Sequence, residues 1–305
     1  MIDIKITIVT PTYNRAHTLP RVFESLKKQT FKNFKWIIMD DGSTDNTVEV
    51  VENFKKNASF SIEYYQNKNQ HKFLTVLEGI KKVQSPYHMV VDSDDAYPEN
   101  SLEILYNEAE SIKNQSEFIG IMGLSADENG EIVGDKYPEN GFDGSIFEMR
   151  YKYKVRGDKF GIFFSKNYQK EIAEKDFSRY ENKGYIPQSV IFNDYDSKGL
   201  KTRFINKIVR YYFKDEDDSA SVSNTRWTGK NIYGLKEGHL SFLNSYRNLL
   251  WKYPKALVRN IVGYQIYSLK NKSSFSEIIK SIHHPVFKIL IVFLLPFSYF
   301  YSLIK

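Results

Sequence analysis

The chain has 305 residues, 43 Lys and Arg against 37 Asp and Glu, and no cysteine. That length suits two domains or one large one, with an apolar core that needs no disulfide or metal staple. At 41% hydrophobic and 26% charged it is not a disordered, collagen-like or coiled-coil chain, and the lack of cysteine excludes a thiolate zinc site and a cysteine nucleophile.

Ile4, Ile6 and Ile8 alternate with Lys5, Thr7 and Val9, which predicts a first strand stopped by Pro11. Thr18 can cap a helix whose Leu19, Val22, Phe23 and Leu26 recur at helical spacing. Trp36 to Met39 reads as a second strand, ended by Asp40-Asp41-Gly42-Ser43. Asp45 can cap a second helix with Val48, Val51 and Phe54 on one face. Ile62 to Tyr65 is a short third strand, and Phe73, Val76, Leu77 and Ile80 form a third helical stripe. Tyr87 to Val91 is a fourth strand, ended by Asp92-Ser93-Asp94-Asp95. Strands alternating with helices of this length predict right-handed crossovers and a Rossmann-like α/β fold, doubly wound around a mostly parallel sheet. The stretch from Glu128 to Gly144 reads as loops or a hairpin.

Charge is spread unevenly. From Arg226 to Lys305 there are 12 basic and 2 acidic residues, whereas the first 225 residues hold 31 basic and 35 acidic ones. A basic tail suits an anionic surface, either nucleic acid or an acidic membrane. The run from Val286 to Ile304, with Lys288 as its one charge, points to the membrane and away from nucleic acid. It approaches the roughly 20 apolar residues of a spanning helix. Pro296 near its middle, and the Ser and Tyr residues after it, fit a helix lying in the interface better. A buried C-terminal core helix is the alternative. Trp251 and Tyr253 with Lys252, Lys255 and Arg259 read as an interfacial belt or as one face of a packed helical subdomain. No basic-then-apolar leader pattern opens the chain, so the catalytic part is expected at the cytoplasmic side of the cell membrane.

Three polar clusters follow strands directly: Thr12-Tyr13-Asn14-Arg15, Asp40-Asp41, and Asp92 to Asp95. Open α/β sheets bind ligands beyond the carboxyl ends of their strands, so these clusters should gather on one edge. Three carboxylates within four residues repel one another, and a divalent cation relieves that. Hard oxygen ligands suit Mg²⁺ or Mn²⁺, which keep waters and share phosphate oxygens with a substrate. There is no Walker loop and no dinucleotide fingerprint, so a phosphate is expected to be held by the metal and by side chains, with Lys72 as an added cation. The second acidic run, Asp215-Glu216-Asp217-Asp218, reads as a solvated turn. His71 reads as a surface residue, and His283-His284 before Pro285 as a helix entry.

The stretch ITIVTPTYNRAHTLPRVFESLKKQTFKNFKWIIMDDGSTDNT, followed by VVDSDDAYPENSLE, closely resembles the family-2 glycosyltransferases of the GT-A fold. The resemblance is strong over residues 4 to 108 and weaker to about 225. It implies that Pro11, Thr12 and Tyr13 pack on the nucleotide base with Arg15 beside them, and that Asp41 contacts the uracil edge. It places Lys72 near the nucleotide. Asp92 and Asp94 match the Asp-x-Asp signature, so the cofactor-binding set extends to Asp92 and Ser93, with Asp94 on the metal. The implied function is metal-dependent, inverting transfer from a UDP-sugar to a saccharide or lipid-linked saccharide acceptor. The sugar would be a hexosyl or N-acetylhexosaminyl group, and the product a surface polysaccharide such as a capsule. The implied organisation is a nucleotide-sugar half at 1–98, an acceptor half at 99–225, and a basic, aromatic helical tail at 226–305.

In the segment NKGYIPQSVIFN, related proteins place an acid directly after the proline, but here Gln188 and Ser189 follow Pro187. An amide cannot usefully accept a proton, so the base is sought among Glu181, Asp194 and Asp196, with Glu181 first. All three can equally be surface acids. Arg226-Trp227 matches the end of a Gln-x-x-Arg-Trp motif of processive relatives, but Ser223 stands where the Gln would be. Gln188 also supports a second reading, a catalytically inactive, membrane-attached nucleotide-binding partner of another transferase. A nucleotidyltransferase would need a glycine-rich phosphate loop, and PTYNR is not one.

Overall fold

The computed structural model describes residues 3–213 and 231–304. Asp215 to Asp218, Ser223 and the Arg226-Trp227 pair lie outside the described residues. Packing divides the chain into two compact units. The first runs to Phe177 and resumes at Gly199; the second combines Ser178–Lys198 with the C-terminal helices. The division at 1–98, 99–225 and 226–305 concerns ligand roles and is kept as a proposal about function.

The first unit is built on eight strands: β1 (Ile6–Thr12), β2 (Phe34–Asp40), β3 (Ser61–Gln66), β4 (Tyr87–Val90), β5 (Phe118–Ala126), β6 (Phe142–Gly144), β7 (Lys159–Phe164) and β8 (Lys201–Tyr211). Its helices are α1 (Leu19–Lys27), α2 (Thr47–Asn57), α3 (His71–Lys81), α4 (Ser101–Glu110) and α5 (Ser165–Ala173). The strand order is β3-β2-β1-β4-β7-β5-β8-β6. β3, β2, β1 and β4 are mutually parallel, and so are β5 and β8. β7 runs antiparallel between β4 and β5, and β6 antiparallel on the far edge. The expected doubly wound, mostly parallel sheet is therefore present.

Alternation along the strands serves two apolar clusters. Ile6, Ile8, Trp36 and Ile38 join Leu19, Val22, Phe23 and Leu26 of α1, while Val9, Ile37 and Met39 pack with Val83 in a second cluster. Such near-continuous apolar strands mark a sheet covered on both faces.

Three local expectations change. β1 runs through Pro11 to Thr12. In a parallel ladder alternate residues bond to opposite neighbours; Val9 faces β4, its carbonyl accepting from the Val91 N–H at 2.9 Å, while Thr12 accepts from Asp41 N–H on the β2 side at 2.8 Å. Pro11 thus faces the β4 side, where pairing has already ended at Val9↔Val90, and its missing N–H is not needed. Thr18 occupies the N-cap of α1 but makes no side-chain cap; its hydroxyl donates to the Arg15 carbonyl instead. Val48 is exposed, leaving Val51 and Phe54 to bury α2.

The second unit is helical: α6 (Ser189–Ser197), α7 (Ile232–Ser245), α8 (Pro254–Lys270), α9 (Phe275–Lys280) and α10 (Pro285–Ile304). Val190, Ile191 and Tyr195 of α6 are buried, and the Tyr246 hydroxyl donates to Asp196 Oδ2 at 2.7 Å. Gly234 lets α7 meet the Tyr185–Ile186 backbone: a Cβ there would lie 1.8 Å from the Tyr185 carbonyl oxygen. α10 continues through Pro296. Among the described residues no helix is long and apolar enough to cross a membrane.

Candidate active site

The parallel register brings the three polar clusters to one edge of the sheet. Thr12 pairs with Asp40, and counting on from Val9↔Val90 sets Asp92 level with Pro11. Pro11 and Thr12 close β1, Asp41 follows β2, and the Asp92–Asp95 turn follows β4.

Asn14 organises the first two clusters. It adopts a left-handed backbone (φ 52°), which asparagine tolerates better than most residues. Its N–H donates to Ser43 Oγ at 2.8 Å, and its Oδ1 accepts from the Thr44 and Asp45 N–H groups. Asp45 Oδ2 returns the link by accepting from the Ala16 N–H, while its Oδ1 accepts from the Thr47 N–H at the start of α2. Those hydrogen bonds hold the Asp45 carboxyl below its usual range against the upward push of burial, which is the largest single influence. Tyr13 is 42% exposed beside this framework, a ring free to stack. Asp41 is buried, its Oδ1 accepting from the Gln70 N–H at 2.8 Å and the Thr75 hydroxyl at 2.7 Å. Neighbouring Asp40 is tied to the Ser43 N–H and the Tyr64 hydroxyl. Gly42 (φ 86°) makes the turn between them, a conformation a side chain would strain.

The third cluster is the most charged. One oxygen each from Asp92, Asp94 and Asp95 lies within 4.8 Å of the others. Lys72, near the N-terminus of α3, meets Asp92 Oδ1 at 2.7 Å, and Arg15 approaches Asp94 Oδ2 at 3.5 Å. Burial pushes Asp92 upward, but Lys72, Arg210 and Arg15 outweigh it and hold this carboxyl below its usual range. Asp94 moves the other way, raised by burial and by the charge of Asp92 against Lys72 and Arg15. Asp95 is also raised, by burial and then by Asp92 and Asp94, with Arg210 opposing. Asp94 and Asp95 thus keep their protons more readily than ordinary carboxyls, and Asp92 less readily. Hard carboxylate donors in this arrangement fit Mg²⁺ or Mn²⁺. Ser93 is buried within the turn.

Several partners of this turn are absent from the motifs. Arg210 of β8 is buried and donates to Asp95 Oδ2 (3.2 Å), Asp158 Oδ2 (2.6 Å) and Ser125 Oγ (3.0 Å). Ala96 and Tyr211 exchange backbone hydrogen bonds at 3.1 and 2.8 Å. Arg21 of α1 donates to the Asp94 carbonyl at 2.7 Å and lies 4.1 Å from the centre of the Phe213 ring. The one trace of this clamp in the sequence is a charged residue, Arg210, directly after the apolar Ile208-Val209 of a strand.

The candidate bases belong to the second unit. Glu181 is exposed. Asp194 is half-buried and 3.2 Å from Lys198 Nζ. Asp196 is buried against the Tyr246 hydroxyl, which makes it a structural acid. Gln188 precedes α6 at its N-cap, without capping it through its side chain.

The doubly wound sheet, with its polar clusters on one edge, is of GT-A type, and comparison with known proteins supplies the family. The Glycosyl transferase family 2 model matches residues 7–177, more than half of the chain, and the protein belongs to that family. The match ends where the first unit breaks, at Phe177. Glycosyltransferase GlyA of Streptococcus pneumoniae is 25% identical over 78% of this chain, which spans only 34% of GlyA. The GalNAc(5)-diNAcBac-PP-undecaprenol beta-1,3-glucosyltransferase of Campylobacter jejuni is 25% identical over 81% of this chain and 75% of its own length. Among solved structures, residues 1–349 of S. aureus TarS in complex with UDP-GlcNAc superpose with a TM-score of 0.56 at 18% identity, covering 92% of this chain and 82% of that one.

Proposed function

We propose that this protein transfers a sugar from a UDP-sugar to a saccharide acceptor with inversion, using Mg²⁺ or Mn²⁺, in the synthesis of a surface polysaccharide. The observation that carries the reading is the Asp92–Asp94–Asp95 carboxylate cluster, set level with Thr12 and Asp41 on one sheet edge. The Campylobacter relative, named for a lipid-linked acceptor, supports a lipid-linked saccharide as the class of acceptor.

Each residue then has a task. Tyr13, backed by Pro11 and Thr12, stacks on the base, and Arg15 stands beside the diphosphate. Asp41 offers Oδ2 to the uracil edge while Gln70 and Thr75 hold its Oδ1. Asp92, with Ser93 next to it, binds the ribose, and Asp94 holds the metal. A bound divalent cation supplies charge neutralisation to the departing diphosphate. Lys72 contributes a further positive charge, released from Asp92 as the donor binds. The acceptor hydroxyl oxygen attacks the anomeric carbon, the bond from that carbon to the diphosphate oxygen breaks, and the hydroxyl proton passes to a carboxylate. Glu181 is our first assignment for that base, because Asp194 is ion-paired to Lys198; Asp194 is the second.

The test is nucleotide release from UDP-, GDP- and dTDP-sugars with Mn²⁺ or EDTA. Release from one UDP-sugar is expected, abolished by EDTA and lowered at least about 10²-fold in Asp94→Asn. Release from a GDP-sugar alone would overturn the donor assignment. Glu181→Gln should retain UDP binding and lose transfer. Nucleotide binding with no turnover in any donor and acceptor combination would favour the inactive-partner reading that Gln188 motivates.

A further inference from the structure

α10 presents two apolar faces, and only one is covered. Phe287, Ile291 and Ser298 are fully buried. Gln265 of α8 locks that orientation: its Nε2 donates to the Ile291 carbonyl at 2.7 Å, and its Oε1 accepts from the Ser298 hydroxyl at 2.8 Å. The opposite face carries Ile289, Val292, Phe293, Phe297 and Phe300, between 51% and 73% exposed. These positions fall at helical spacing and include no charge. A monomer in water gains nothing from a contiguous apolar stripe held outward.

The surroundings of the stripe indicate what covers it. Trp251 is 49% exposed and lies at the start of α10, its ring 5.5 Å from that of Phe287 and 6.0 Å from that of His284. Exposed Arg247, Lys252, Lys255 and Arg259 flank Trp251 in sequence. From Asn231 to Ile304 there are nine Lys and Arg against two acids, Glu237 and Glu277. Glu237 is buried and ion-paired to Arg179 and to Lys236, one of the nine. An exposed apolar face, an exposed indole near the start of the same helix and a run of exposed cations are complementary to an anionic bilayer. A second copy of the chain would bring the same cations against themselves.

We propose that the outer face of α10, with Trp251 and the cations of residues 247–259, docks on an anionic lipid bilayer, the helix lying in the interface with Phe293, Phe297 and Phe300 inserted among the acyl chains. This surface is independent of the donor site, so its failure leaves the sugar-transfer reading intact.

The test is flotation of the full chain with vesicles of phosphatidylcholine containing 30% phosphatidylglycerol, or of phosphatidylcholine alone. Flotation with the anionic vesicles is expected, at least about 10-fold weaker with the neutral ones and in 0.5 M salt. The double variant Phe293→Ser, Phe297→Ser should lower anionic partition at least about 10-fold with an unchanged melting temperature, because both rings are exposed. Quenching of tryptophan fluorescence by brominated lipid should vanish in Trp251→Phe. Absence of flotation, or equal flotation of wild type and double variant, overturns the proposal. A wild-type dimer that the double variant converts to monomer, with no vesicle binding by either, assigns the face to a second copy instead.

Discussion

Arg210 holds three oxygens with one guanidinium, and one of them belongs to the carboxylate turn. Asp95 is 1% exposed, so removing its cation leaves a buried acid with only the long Phe213 N–H contact at 3.4 Å. Breaking a buried pair from one side typically costs about 3 kcal/mol or more. Arg210→Met is therefore expected to lose roughly that much in urea unfolding, with part recovered when Asp95→Asn is added. His88 sits in the same sheet with its side chain fully buried, Nδ1 3.2 Å from Ser165 Oγ and the ring packed on Tyr168. Burial lowers its pKa from 6.5 to about 3. The unfolded chain takes up a proton near pH 6.5 that the folded chain refuses, so this residue lowers stability as pH falls from 6.5 towards 3 and has no effect above that window. The slope should approach about 1.4 kcal/mol per pH unit. His88→Asn is expected to flatten that part of the unfolding free energy measured between pH 6.5 and 4.

At the scale of elements, glycines set how closely the layers behind the site approach. A Cβ on Gly79 of α3 would meet Val9 Cγ1 at 2.4 Å and Met39 Cγ at 2.9 Å, both side-chain atoms. A Cβ on Gly161 of β7 would lie 1.8 Å from the Ile121 carbonyl oxygen, which is backbone. Overpacking costs about 1–3 kcal/mol where neighbours can shift and more where they cannot. Gly161→Ala should accordingly fall at or beyond the upper end in thermal unfolding, and Gly79→Ala below it. The elements from β1 to β4 are legible in the sequence because each carries its own period: the α1 and α3 stripes are buried as their spacing predicts. Pro11 and Val48 are misread for a shared reason. Local pattern alone sets each expectation, while the residue's environment depends on where a neighbouring strand ends or how far a helix is covered. The insertion of β7 between β4 and β5 has no local signature either, since it rests on pairings such as His88↔Phe163 between residues far apart in the chain. The carboxylate cluster was visible in the sequence, but its clamp was not, because Arg210 lies 115 residues from Asp95.

At the scale of the molecule, the second unit is assembled from two separated stretches. Ile186, Val190, Ile191 and Tyr195 of the first stretch are buried. The first stretch is held to the C-terminal helices by Asn193 to Ser241 at 3.4 Å and Tyr246 to Asp196 at 2.7 Å. A nine-residue helix such as α6 is marginal by itself. Ending the chain at residue 213 should abolish amide protection across 189–197 in hydrogen exchange and preserve it in β1 and β2.

The interleaving also governs how this architecture can be recombined. The candidate bases travel with 178–198, whereas most of the unit that houses them is encoded after residue 230. A crossover that exchanged only the C-terminal helices with a related chain would pair a foreign helical bundle with the original base-bearing segment. Tyr246 would then face another chain's equivalent of Asp196, and Gly234 another backbone at Tyr185. The second unit is thus inherited in two linked pieces, so a working hybrid must exchange both together.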